Sequence, residues 1–199
     1  FTPGDYNFAS DLRTTAQVID YPGNSGVFGT NQPYPNGVNN EDQDDIALRA
    51  QATVFIPAGQ WMIGFGSDDG GLLRLSGVTF ANKFNSDASP ANELRYESPR
   101  GHDWTVGQFT VPAGGVTATL DSLFYERGGG DSFEIAIRQG FRSDNFVSSN
   151  EYQLLSNGTL GWQVTTEDTA GAKTDVQASL KNVNSTAWRR IPFDVTNPA

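Results

Sequence analysis

No cysteine occurs in this chain of 199 residues, and histidine and methionine occur once each. Without a thiol, disulfides, thiolate nucleophiles and cysteine-held metals are excluded, so stability must come from core burial or from hard cations held by oxygen. His102 is the sole imidazole and no Gly-x-Ser-x-Gly turn is present, which removes serine triads and histidine-rich zinc hydrolase sites. Positive charge is also scarce. Thirteen Lys and Arg against 23 Asp and Glu leave a formal charge of −10, which repels a phosphate backbone and an anionic membrane surface, so nucleic acid is not an expected partner. No apolar run approaches the ~20 residues of a membrane helix, and no membrane insertion is expected. No segment carries a sustained 3.6-residue apolar stripe, so helix is expected in fewer than about one residue in ten. The net charge and the lack of a continuous apolar surface stripe make a monomer the expectation for the isolated domain.

What the chain has instead is 13 Phe, 6 Tyr, 4 Trp and 22 Gly. These suit strands whose aromatics fill a core and turns made by glycine. The pattern sharpens from Ile46, where Ile46, Leu48, Ala50, Ala52, Val54 and Ile56 alternate with Ala47, Arg49, Gln51, Thr53 and Phe55. This is a long half-buried strand ending at Pro57. Trp61, Ile63 and Phe65 share a face of the next strand, which stops in Ser67, Asp68, Asp69, Gly70 and Gly71 before Leu73 and Leu75. That spacing predicts a hairpin with an acidic tip. A short strand is expected at Val78 and Phe80, and residues 85–103 read as a long polar loop. A phase slip between Val106 and Phe109 suggests a bulge. The turn Tyr125, Glu126, Arg127, Gly128, Gly129, Gly130, Asp131 precedes a strand with Phe133, Ile135 and Ile137 on one face. Weaker strands are expected around Thr15, Tyr152 and Leu160, and again over residues 184–193. Together these predict an all-β antiparallel sandwich with long loops. The sandwich domain is expected over residues 1–165, with 166–199 either completing it or beginning a following module.

The stretch from Ala52 to Phe65 with Asp68, Asp69 and Gly70, and the later run from Leu123 to Phe133 with its three glycines, resemble the two signature motifs of PA14 domains. The resemblance runs over residues 47–137. It implies a PA14-like β-sandwich of the bacterial surface or adhesin type, whose carbohydrate-binding members hold a sugar at one end of the sandwich. In those members paired aspartates joined by a cis peptide bond chelate calcium, together with an amide side chain and carbonyls of the second loop. Carried onto this sequence, the metal ligands are Asp68, Asp69, Gly128, Gly129 and Asp131. The sugar is met by Asp68, Asp69, Arg127, Gly130 and Asp131. Arg127 stands where the family's amide ligand belongs, and a guanidinium cannot coordinate a cation.

The chemistry of the residues bears on the same corner. Two adjacent carboxylates at a tight turn repel unless a cation neutralises them, and Ca²⁺ takes six to eight such oxygens. Glu126, Asp131 or the carbonyls of Gly128 and Gly129 must then replace the missing amide. The alternative is an ion pair of Arg127 with Asp68 or Asp69 in place of metal. The bland reading is that Asp and Gly simply make turns. Trp104 offers a flat face to a sugar ring if exposed, or packs in the core if not; Trp61 and Trp162 are expected in the core. The acidic run from Glu41 to Asp45 lacks the spacing of an EF-hand loop and reads as a solvated lead-in to a strand. No carboxylate pair is marked out as catalytic, and no enzyme is expected. Three functions remain open: a calcium-assisted glycan-binding domain, a structural spacer of a multidomain surface protein, and an accessory domain of a glycoside hydrolase. The first residue is not methionine, so a processed or excised piece of a secreted or surface protein is expected.

Overall fold

The structure, a computed structural model, describes residues 10–22, 26–35, 37, 43–165 and 174–180. Two sheets form an antiparallel sandwich. One contains β1 (Ser10–Ala16), β3 (Ile46–Ile56), β5 (Gly70–Leu75), β7 (Glu93–Tyr96), β9 (Val116–Glu126), β12 (Gln163–Thr165) and β13 (Thr174–Leu180). The other contains β2 (Asp20–Pro22), β4 (Gly59–Asp68), β6 (Asn82–Phe84), β8 (Asp103–Val111), β10 (Ser132–Gln139) and β11 (Gln153–Leu154). Helix among the described residues is limited to one 3₁₀ turn at Thr159–Gly161. No described helix is long and apolar enough to cross a membrane.

From β1 to β10 the chain changes sheet at every step. The expected hairpin at the acidic tip is therefore absent: β4 pairs with β8 and β10, whereas β5 pairs with β7 and β9. Apolar alternation tells which face of a strand is buried, and it is silent on which strand lies beside it. Both sheets turn apolar faces to one shared core. Leu48, Val54, Leu120 and Phe124 from the first sheet meet Trp61, Ile63, Phe65, Phe109, Phe133 and Ile135 from the second. Phe124 stacks on Phe133 at 5.1 Å, and Trp61 meets Trp162 edge-on at 5.5 Å, so both indoles expected in the core are there.

A second, smaller apolar cluster covers the outer face of the other sheet. It joins Met62, Trp104, Val106, Ala136, Val147 and Tyr152. This explains the phase slip without a bulge. The register of β4 with β8 runs unbroken from Gly59 opposite Val111 to Ser67 opposite Asp103, with Val106 facing the outer cluster and Phe109 the inner core. Val78 and Phe80 are buried but lie in a loop, and the edge strand there is β6. The polar stretch 85–103 contains β7, whose buried Glu93 is paired with Arg74 at 2.6 Å and with Arg95. Strand β13, which polar composition concealed, pairs with β3 and β1. The strand expected over residues 184–193 lies outside the described residues.

Candidate functional site

Two sheet crossings meet at one end of the sandwich. The chain leaves β4 at Asp68, passes Asp69 and enters β5 at Gly70; it leaves β9 at Glu126 and enters β10 at Ser132. Asp68 lies opposite Ser132 in one sheet, and Gly70 lies opposite Tyr125 in the other. Pairing on both sides thus holds the Asp-Asp-Gly corner against the loop of residues 127–131. Gly70 is required by space: a Cβ there would lie 2.5 Å from the Tyr125 ring and 2.7 Å from the Tyr96 carbonyl oxygen. Gly129, at φ 109°, occupies backbone space that other residues rarely adopt. The Asp68–Asp69 peptide bond is cis.

Ligand atoms of Asp68, Asp69 and Glu126 lie within 4.8 Å of one another. Asp69 and Glu126 are buried and Asp68 is half-buried. The Arg127 backbone N–H donates to Asp69 Oδ2 at 3.1 Å, and the Gly128 N–H donates to Glu126 Oε1 at 2.6 Å. Glu126 Oε2 is buried without a hydrogen-bond partner. Among the described residues no ion pair joins Asp68, Asp69 or Glu126 to a basic side chain. Burial and the neighbouring Asp69 push the Asp68 carboxyl up to about 6. Burial likewise raises Asp69, although the Arg127 and Arg100 amides and the charge of Arg127 pull it back. Glu126 is pushed up to about 8, first by burial and then by the charges of Asp69, Asp68 and Asp131. Three carboxyls that resist ionisation together are an all-oxygen donor set suited to a hard cation such as Ca²⁺.

Further segments frame the corner. Asp131 is wholly buried; its Oδ2 accepts the Gln43 N–H at 3.0 Å. A Cβ on Gly128 would lie 3.4 Å from Asp44 Oδ1, which brings the acidic lead-in to β3 against the loop. Glu41 and Asp42 lie outside the described residues. Arg100 donates to Ser67 Oγ at 2.9 Å and stacks on Tyr96 with its guanidinium carbon 4.0 Å from the ring centre. The Tyr125 hydroxyl donates to the Glu97 carbonyl at 2.6 Å.

The proposed ligands therefore separate by position. Asp68, Asp69, Arg127, Gly128, Gly129, Gly130 and Asp131 are gathered at one end, with Gly130 close enough that a Cβ would lie 3.4 Å from Asp68 Oδ2. Arg127 is exposed, and its side chain forms no ion pair with the corner. Trp104 is a correction. It is 4% exposed, lies against Phe28 and His102, and crosses glycines 64 and 66 of β4, so it presents no platform to a sugar. Glu126 was the residue underweighted from sequence. Its signal was the inward series Ala118, Leu120, Phe124, which Glu126 continues at the end of β9.

Behind the corner lies a buried polar line. His102 Nδ1 is 2.6 Å from Ser132 Oγ and its Nε2 is 3.5 Å from Glu134 Oε2. Glu134 accepts the N–H groups of Val27 and Phe28 at 2.8 to 3.0 Å and faces Asp20 across the β2–β10 pair. Burial lowers His102 to about 4 and raises Glu134 to about 8. Ser132 is wholly buried. The composition is that of a triad, but no substrate carbonyl can reach this hydroxyl.

No family model matches the chain, and no curated protein does. Solved structures similar to it include a PA14 sugar-binding domain from an RTX adhesin, at 16% identity and TM-score 0.42, covering 72% of this chain and 75% of that one. They also include the PA14 domain of the MpAFP antifreeze protein, at 20% identity and TM-score 0.37, covering 55% of this chain and 50% of that one. The chain resembles PA14 domains, as its two motifs imply.

Proposed function

We propose that this chain is an extracellular carbohydrate-binding domain that holds a sugar through a calcium ion at the Asp68–Asp69 corner. The observation that carries the reading is the convergence of the two sheet crossings, which gathers the carboxylates of Asp68 and Asp69 beside the loop of residues 127–131 with no basic side chain in a direct ion pair with them. Asp68 and Asp69 would supply carboxylate oxygens, and Gly128, Gly129 and Asp131 belong to the loop from which further oxygens come. Bound there, calcium supplies a positive centre for a pair of sugar hydroxyls; the protein's part is to hold the oxygens rigidly at the end of two paired sheets.

The rival reading, a structural spacer, has Arg127 neutralising the corner. Against it stand the exposure of Arg127 and the lack of an ion pair between it and Asp68 or Asp69. Binding is favoured over catalysis because the nucleophile-like Ser132 is inaccessible. A secreted or surface location, of bacterial type, follows from the adhesin-like resemblance and belongs to this proposal.

The test is a calcium titration read by thermal melting and by retention on a glycan array. Calcium should raise Tm, with chelator reversing the shift, and Asp68→Asn with Asp69→Asn should lose both the shift and the glycans. A calcium-insensitive melt with no retained glycan would sink the reading and leave the spacer.

A further inference from the structure

Strand β9 buries alternate residues from Ala118 through Leu120 and Phe124, and the next in that series is Glu126. The inward phase therefore carries a carboxylate, wholly buried, to the end of β9 beside the Asp68–Asp69 corner. Its Oε1 is occupied by the Gly128 N–H, whereas Oε2 has no partner and lies within 4.8 Å of ligand atoms of Asp68 and Asp69. A buried carboxylate oxygen left open beside two others is costly unless something fills the space.

Resting on the calcium reading above, we infer that Glu126 is the third anionic ligand of the site, and that the loaded site consequently selects uncharged sugars and rejects acidic ones. The charge count decides the second part. Asp68, Asp69 and Glu126 are joined by Asp131 and by Asp44 beside Gly128. The adjoining guanidiniums are Arg100, held on Tyr96 and Ser67, and Arg127. Five carboxylates against two guanidiniums and a divalent ion leave the loaded site net negative. A sugar's vicinal hydroxyls are drawn to the ion's positive centre, whereas a sugar carboxylate is opposed by the surplus charge at distances of a few ångströms. Glu126 thus does what an amide ligand cannot, because an amide would bring oxygen without charge.

Calorimetric titration of Ca²⁺ into the wild-type domain and Glu126→Gln tests the ligand role. The amide oxygen of Gln can still accept the Gly128 N–H, so the loop is kept. Calcium affinity should fall at least thirtyfold; an unchanged affinity in folded Glu126→Gln overturns the ligand role while leaving the Asp68–Asp69 calcium reading intact. Absence of calcium binding in the wild type overturns both. Should Glu126→Gln fail to fold, Glu126→Asp, which retracts the carboxylate by one methylene, should lose most of the calcium-induced rise in Tm, and a full rise overturns the role. Selectivity is read with matched neutral and uronic-acid glycans that differ only in the C6 carboxylate, at saturating calcium. Tenfold or greater preference for the neutral member is expected, and equal or tighter binding of the acidic member overturns the selectivity.

Discussion

Glu93 and Glu126 are both wholly buried glutamates in the same sheet, and they are treated in opposite ways. Glu93 lies between Arg74 and Arg95, each bonded to one of its oxygens. Glu126 has one backbone N–H on one oxygen, nothing on the other, and two aspartates for neighbours. A buried carboxylate flanked by guanidiniums is neutralised by the fold and belongs to its architecture. One left among like charges at the end of the sandwich is a group that folding alone does not satisfy. The difference separates structural acidity from the acidity proposed to hold a ligand.

The largest effect should come from breaking the satisfied member. Glu93→Gln removes the buried charge that Arg74 and Arg95 share and should cost about 3 kcal/mol by urea denaturation. Glu126→Gln should leave the metal-free protein no less stable, because it removes crowding instead of compensation. A similar loss for both would erase the distinction between the two sites.

Calcium sharpens the comparison next. At a hundredfold excess over Kd it should stabilise the wild type by about 2.7 kcal/mol, since an ion bound only to the folded state shifts the folding equilibrium. It should do the same for Glu93→Gln and little for Asp68→Asn with Asp69→Asn. Equal calcium responses in all three proteins would place the ion elsewhere.

Acid–base behaviour should differ as well. The folded protein holds Asp68 near 6 and Glu126 and Glu134 near 8, all above their ordinary values, mainly through burial. It therefore keeps protons that the unfolded chain has already released, and stability falls as pH rises toward 8. His102, lowered to about 4, works the other way between about 4 and 6.5. The clear decline is therefore expected between about pH 6.5 and 8 in metal-free protein. Glu134→Gln should flatten part of it, and saturating calcium should flatten the part due to the corner. A stability that rises across this window would refute the assignment of protons to these buried carboxyls.

The smallest effect is expected at Arg127. Its side chain is exposed and without an ion pair to the corner, and its larger contribution to Asp69 is a backbone N–H that any residue retains, its charge adding a smaller one through solvent. Arg127→Ala should change stability by less than about 0.5 kcal/mol. A loss of about 2 kcal/mol or more would revive the spacer reading, with Arg127 as the corner's counter-charge.

Much of the strand pattern was legible in the residues, because burial on a pleated strand has period two and leaves its mark on each one. The faces of β3, β4 and β10 follow from Leu48, Ile63 and Ile135 and their alternate neighbours. Reading failed where both faces are buried, as at Val106 and Phe109, since apolar residues at either parity then look like a slip. It failed again at β7, where Glu93 and Arg95 look solvent-facing until their partners are known. At the site, Asp68, Asp69 and the glycine loop were marked by local composition. The fate of Trp104, sugar platform or core, stayed open because the glycines that make room for it belong to another strand.

By itself, then, the sequence determined the all-β class, the main buried faces, the thiol-free chemistry and the two motifs at 68–70 and 127–131. Those properties are local or additive, and each residue carries its share of them. Tertiary structure decided that the acidic tip is a crossing between sheets and not a hairpin, that Glu126 joins Asp68 and Asp69, and that Arg127 is exposed and makes no ion pair with them. Such juxtapositions depend on which strands pair across 55 or more residues of chain, as Gly70 does with Tyr125. Strand partners are chosen by the packing of the whole core, and no local pattern encodes that choice.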